Sequence, residues 1–240
     1  MSAREEILAR VRAAVADVTS APAHVDDGAG PSSASPTGPA SDTSGCPAPE
    51  SAADRAKWLA LFAENVADYR ATVVQAVPGT VGAVVVDALR TVGSRSVVLP
   101  TGLESDWQQT LSGAVTVVAE ADAATHVELD GIDAVVTSAA VGIATTGTIV
   151  LDHTAGQGRR ELTLVPDTHV CVVRASQVVP DVPDAVARLR PELGAGPLPL
   201  TWISGPSATS DIELQRVEGV HGPRTLVVVL VADEEAPHES

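Results

Sequence analysis

GTVGAVVVDALRTVGSRSVVLP, residues 79–100, changes character in its middle. GTVGAVVVDALRTVG, residues 79–93, reads as a helix, and SVVLP, residues 96–100, reads as a short strand buried on both faces. The alternation continues outward. AVTVVAE (114–120) and DAVVTSAAVGIA (133–144) read as two more strands, and GTIVLD (147–152), HVCVVR (169–174), LTWIS (200–204) and TLVVVLV (225–231) complete a set of short apolar runs. Helical stretches such as VPDAVARLRPEL (182–193) lie between some of them. Strands alternating with helices predict an α/β fold with a mostly parallel open sheet and flanking helices.

Toward the N-terminus the pattern changes. Residues 54–77 carry Trp58, Leu61, Phe62, Val66 and Tyr69 at helical spacing, which predicts one helix with a core or interface stripe. Residues 19–53 are rich in Ser, Pro, Ala, Gly and Asp without apolar periodicity and read as a disordered linker. Residues 1–18 place Ile7, Leu8, Val11, Val15 and Val18 among charges, an amphipathic helix rather than a signal peptide. The domain division is therefore a helix at 1–18, a linker at 19–53, an α/β domain at 54–234 and a tail at 235–240.

Composition narrows the function. Of 240 residues, 45% are hydrophobic but only 2% aromatic, so the core is aliphatic. Fifteen basic residues stand against 31 acidic ones, and the net charge of −16 repels nucleic-acid phosphates and anionic lipid. No apolar run reaches the length of a membrane span, and a cytoplasmic location is expected. The two cysteines, Cys46 and Cys171, suit neither a disulfide nor a cluster site, and the six His show no ligand spacing, so no metal is expected on this chain. Dinucleotide, Walker A and GxSxG patterns fail: GQGRRE (156–161) has Glu161 in place of the third glycine, the sole lysine is Lys57, and GPSAT (205–209) ends in Thr209.

Three polar loops remain. In GIATTGTIVL (142–151), Thr145, Thr146, Gly147 and Thr148 fit a hairpin turn with Gly147 left-handed, or a hydroxyl and amide nest for an anion. In GQGRREL (156–162), Arg159 and Arg160 fit an anion site at a helix start, or solvated charges paired with Glu161. In GPSATSDIELQRVEGVHGPR (205–224), Ser210 and Glu213 fit a capping box, and the glycines fit turns. Ser207, Thr209, Asp211, His221 and Arg224 remain, among them a proton-transfer group and a carboxylate holder.

These three motifs, in this order, resemble the lactate-utilization protein C family, also called LUD-domain proteins. Thr146, Gly147 and Thr148 match the family pattern, as do Arg160, Pro166 and His169. So do Gly205, Pro206, Ser207, Thr209, Asp211, Glu213, Gly219, His221, Gly222, Pro223 and Arg224. Thr145 stands where the family usually carries Glu. The resemblance implies a fold like the ribose-5-phosphate isomerase and CoA-transferase group. It also implies a subunit of a complex that oxidises L-lactate to pyruvate, with iron–sulfur clusters on partner subunits and no cofactor on this chain. The alternative is an independent enzyme or binding protein for small anionic metabolites. The expected substrate-binding set is Thr146, Gly147, Thr148, Arg160, His169, Ser207, Thr209, Asp211, Glu213 and Arg224, with His221 as the catalytic candidate. Ligands of open α/β sheets bind in a crevice at one sheet edge, and residues 205–224 are expected to form one wall of it.

Overall fold

A computed structural model describes residues 51–189, 199–209, 217–218 and 222–233. The expected helix at 1–18, the linker up to residue 50 and the tail at 235–240 lie outside the described residues. Helix α1 spans Ala52–Asp68 and starts on Ser51, whose hydroxyl oxygen accepts the Asp54 N–H at 3.1 Å. It ends nine residues before the position expected from periodicity. Arg70 turns left-handed, with φ of 67°, and the chain re-enters as strand β1, Thr72–Ala76. The β-branched Thr72, Val73 and Val74 suit a pleated surface better than a helix, so pairing within the sheet overrides the helical spacing of the apolar residues.

The elements that follow are α2 (Val81–Val92), β2 (Ser96–Leu99), α3 (Ser105–Ser112), β3 (Thr116–Ala119), α4 (His126–Asp130) and β4 (Ala134–Ser138). After them come β5 (Val141–Ile143), β6 (Thr148–Leu151), β7 (Thr168–Arg174), β8 (Val178–Val179) and α5 (Val182–Arg188). The last are β9 (Thr201–Ile203), β10 (Ala208–Thr209), β11 (Val217–Glu218) and β12 (Thr225–Val231). Six strands form an open, all-parallel sheet in the order β1-β12-β7-β4-β2-β3. A mixed sheet has the order β8-β5-β6-β9, and β10 pairs with β11 antiparallel.

DAVVTSAAVGIA, expected as one strand, is two. Ser138 ends β4 in the large sheet, and Val141 begins β5 in the small one. The fold depends on this break, because it brings the small sheet over one face of the large one. On that face Cys171, Val173, Val228 and Leu230 pack with Phe62 and Val66 of α1 and with Ile149 and Leu151 of β6. On the opposite face Val136, Val170, Val172 and Val229 pack with Val85 and Leu89 of α2 and with Trp107 and Leu111 of α3. Both faces are thus covered, which is why the strands read as unbroken apolar runs. Strand order also reverses once: β2 leads outward to β3, and the chain then returns to β4 on the other side of β2.

Candidate functional site

The stretch from 205 to 224 precedes β12, and all six strands run parallel, so it meets the large sheet at its amino edge. The crevice expected at a strand-to-helix edge lies at the opposite, carboxyl edge. The Gly205–Ser207 and Gly222–Pro223 segments instead wall a cavity of about 540 Å³ between the start of β7 and the strand β9. Ser207 N–H donates to the Pro223 carbonyl at 2.8 Å and ties the two segments together.

Arg160, His169, Thr201, Ser204 and Ser207 supply the polar lining, while Leu164, Trp202, Ile203 and Leu226 supply much of the apolar wall. The helix expected after GQG is a single 3-10 turn, Arg160–Thr163, closed by the Thr163 hydroxyl donating to the Arg160 carbonyl at 3.1 Å. That turn separates the two arginines. Arg159 lies 3.4 Å from Glu120 and 3.8 Å from Glu161, and its guanidinium also donates to the Ala123 carbonyl. Arg160 faces the cavity and forms no ion pair among the described residues. In a chain of net charge −16, a guanidinium at a cavity wall with no ion pair among the described residues has the chemistry to hold an anion.

His169 lies opposite in chemistry. It is 1% exposed on β7, and its Nε2 is 2.8 Å from the Thr137 hydroxyl oxygen. Thr137 in turn donates to Cys171 Sγ at 3.6 Å, and the Cys171 thiol points to the Ser138 carbonyl at 3.9 Å. A hydroxyl has one proton, so satisfying all three groups requires His169 Nε2–H to donate to Thr137. That tautomer leaves the Nδ1 lone pair as the ring's acceptor. Burial pushes the imidazole down to about 4, so it is neutral at physiological pH. Burial also pushes the Cys171 thiol up to about 12, so the sulfur acts as a core group and not as a nucleophile.

A pH dependence follows, and its sign is fixed by the direction of the shift. Between about 6.5 and about 4 the unfolded chain protonates this His while the folded chain does not. Stability therefore falls as pH falls through that window, by up to about 3 kcal/mol. Urea unfolding of the wild type and His169→Gln at several pH values checks this. The wild type is expected to lose the larger amount between pH 6.5 and 4, with parallel profiles at higher pH.

The hairpin loop contributes from behind. Thr146 donates to the Thr148 hydroxyl at 2.8 Å, and Thr148 is bonded to the Ser204 hydroxyl at 2.9 Å, which reaches the cavity wall. Gly147 is left-handed, with φ of 58°, in the turn that joins the antiparallel β5 and β6. Thr145, at the position of the usual family Glu, is exposed on this turn and outside the cavity lining.

Arg224 lies elsewhere. Its Nε is 3.6 Å from Asp167, both side chains are more than half exposed, and it lines a separate depression with Gly93 and Ser94. Arg224→Gln is expected to shift unfolding free energy by less than about 1 kcal/mol, as for other exposed pairs, and to leave carboxylate binding unchanged. Chemical denaturation and ligand titration of the variant check both. Asp211, Glu213 and His221 lie outside the described residues, and Thr209 is described only by its backbone pairing with Val217 in β10 and β11. Among the described residues no three His, Cys, Asp or Glu side chains come together as metal ligands would. No described helix is long and apolar enough to cross a membrane.

Sequence reasoning missed Thr137, Ser204 and His153. Thr137 is a fully buried hydroxyl near the end of the strand AVVTS, a signal that a buried polar partner sits across the sheet. His153, left-handed at φ of 59°, donates from Nδ1 to the Gly158 carbonyl at 2.8 Å, and its Nε2 is hydrogen-bonded to the Thr201 hydroxyl at 2.8 Å. It thereby fixes the loop before Arg159 to β9.

The model of the family described as LUD domain matches residues 47–231. A Deinococcus radiodurans protein named "Lactate utilization protein C" is 45% identical over 185 residues, covering 77% of this chain and 83% of that relative. "Lactate utilization protein C" of Bacillus subtilis is 35% identical over 101 residues, covering 41% of this chain and 42% of the relative. The crystal structure of a DUF162 family protein from Deinococcus radiodurans matches with a TM-score of 0.63 at 39% identity, covering 74% of this chain and 98% of that one.

Proposed function

We propose, because this chain belongs to the LUD domain family, that it works as the lactate-utilization protein C subunit in oxidising L-lactate to pyruvate, and that the amino-edge cavity receives the small carboxylate. The observation that carries this reading is Arg160 and His169 in one cavity: a cation without an ion pair among the described residues, and a neutral imidazole with an acceptor nitrogen. An α-hydroxy carboxylate presents the complementary pair, an anion and a hydroxyl donor.

The division of labour follows from the groups present. Arg160 holds the carboxylate through a forked, charge-assisted contact. His169 Nδ1 accepts the substrate hydroxyl and orients it. A ring pushed down to about 4 is too weak a base to take that proton at neutral pH, so His169 positions the hydroxyl as a hydrogen-bond acceptor and does not act as the general base. Leu164, Ile203 and Leu226 cover the methyl group. Conversion of lactate to pyruvate releases two electrons and two protons, and in this proposal the electrons go to iron–sulfur partner subunits and the protons to solvent. The test is lactate oxidation by the partner proteins with and without this chain. Oxidation that needs the chain supports the reading, and full activity without it would contradict the reading.

A further inference from the structure

A second cavity, about 520 Å³, opens at the carboxyl edge of the six-stranded sheet, away from the amino-edge site. It lies where the chain leaves β2 and β4, the neighbours between which strand order reverses. Open parallel sheets hold ligands at that switch point because two loops diverge there and leave a crevice. Here the crevice is tightly built. Gly102 and Gly156 are left-handed, and a Cβ on them would fall 2.7 Å from Ala155 Cβ and 2.8 Å from Ser138 Oγ respectively. Ser138 N–H donates to the Gly156 carbonyl at 2.9 Å, and Gly156 N–H donates to the Thr101 carbonyl at 2.9 Å. Three loops are thus locked together by backbone contact.

Two guanidinium groups line this crevice, Arg174 from the end of β7 and Arg188 from α5. Arg188 donates to the Ser176 carbonyl at 2.7 Å, which fixes it. Arg174 lies over the Trp107 ring, 5.8 Å from its centroid, and is bonded to the Glu104 carboxylate. Glu104 is also the residue before α3, whose start has no side-chain cap and carries Asp106 in its first turn. The remaining carboxylate in the lining, Asp152, is engaged by the Thr154 N–H at 3.1 Å and the Thr154 hydroxyl at 2.7 Å.

We infer that this crevice binds a small molecule carrying an oxyanion, a carboxylate or a phosphate, on Arg174 in exchange for Glu104. Glu104 already shows the contact that the guanidinium accepts. Its side chain is 50% exposed and that of Arg174 is 41% exposed, so the pair is a weak surface contact that an incoming anion replaces. Trp107 keeps the guanidinium in place while the carboxylate leaves. The crevice shares no lining residue with the amino-edge cavity, so the inference stands apart from the proposed lactate site.

Calorimetric titration of the full chain with inorganic phosphate and with pyruvate tests this, with Arg160→Gln as the background that silences the amino-edge cavity. Saturable binding of at least one probe is expected in that background. Phosphate alone identifies a phosphate site, and pyruvate alone identifies a carboxylate site. Adding Arg174→Gln is expected to weaken that binding by about tenfold or more, since it keeps the backbone N–H bonded to Gln177 and removes only the fork. Adding Glu104→Gln instead is expected to tighten binding severalfold by removing the competitor, and it leaves Arg174 in place should Arg174→Gln lower stability. The inference is overturned if neither probe binds in the Arg160→Gln background, or if Glu104→Gln leaves the affinity unchanged.

Discussion

Arg160→Gln is expected to lower lactate oxidation by the reconstituted complex about ten- to a hundredfold while leaving the melting temperature of the chain nearly unchanged. The magnitude comes from the contact removed: a hydrogen-bonded charge pair is worth about 1.5–3 kcal/mol, and each 1.36 kcal/mol is roughly a tenfold change in rate. The stability side follows from exposure. Arg160 is exposed and forms no ion pair among the described residues, so its loss uncovers no buried charge. Arg160→Lys keeps the charge but loses the planar fork, and it is expected to fall between the wild type and Arg160→Gln. A melting temperature that drops in step with activity would assign Arg160 to bracing the fold instead.

Gly147→Val is expected to destabilise the chain by about 3–5 kcal/mol. Two costs combine. A left-handed backbone costs a residue with a Cβ about 1–2 kcal/mol, at the upper end for a branched one, and overpacking adds about 1–3 kcal/mol. The second cost is severe here because the added Cβ would lie 2.6 Å from the carbonyl carbon of Asn65 and 2.7 Å from the nitrogen of Val66. Both are backbone atoms of α1 and cannot swing aside as a side-chain end does. Asn65 also donates from Nδ2 to the Ala144 carbonyl at 2.8 Å, pinning the same hairpin to the same helix. Urea unfolding measures the change. A loss below about 1 kcal/mol would show that the hairpin can lift from α1.

The middle of the chain was legible because its period changes repeatedly. From Gly79 onward, short aliphatic runs and helical stretches alternate, and the parallel sheet follows. Two elements escaped for one physical reason: a short apolar run carries no period of its own. TVVQA continued the spacing of the preceding helix and was expected as helix, yet it is β1. DAVVTSAAVGIA gave no sign that Ser138–Ala140 would change sheets. The site was legible in part. Arg160, His169 and Ser207 meet in one cavity, and Thr148 touches it through Ser204. Which arginine of the adjacent pair stays available was not legible, because Glu120 reaches Arg159 from 39 residues away. Arg174 and Glu104, 70 residues apart, left no local pattern at all.

The most direct measurement of the central claim is nitrogen NMR of the imidazole-labelled chain at neutral pH, titrated with L-lactate. His169 is expected to show the neutral Nε2–H form before ligand is added, and its Nδ1 resonance is expected to move saturably as the substrate hydroxyl donates to it. In Arg160→Gln the same movement is expected only at much higher lactate. A His169 resonance that stays fixed while lactate binds, or a ring that is already Nδ1–H in the free chain, would contradict the assignment of this cavity as the lactate site.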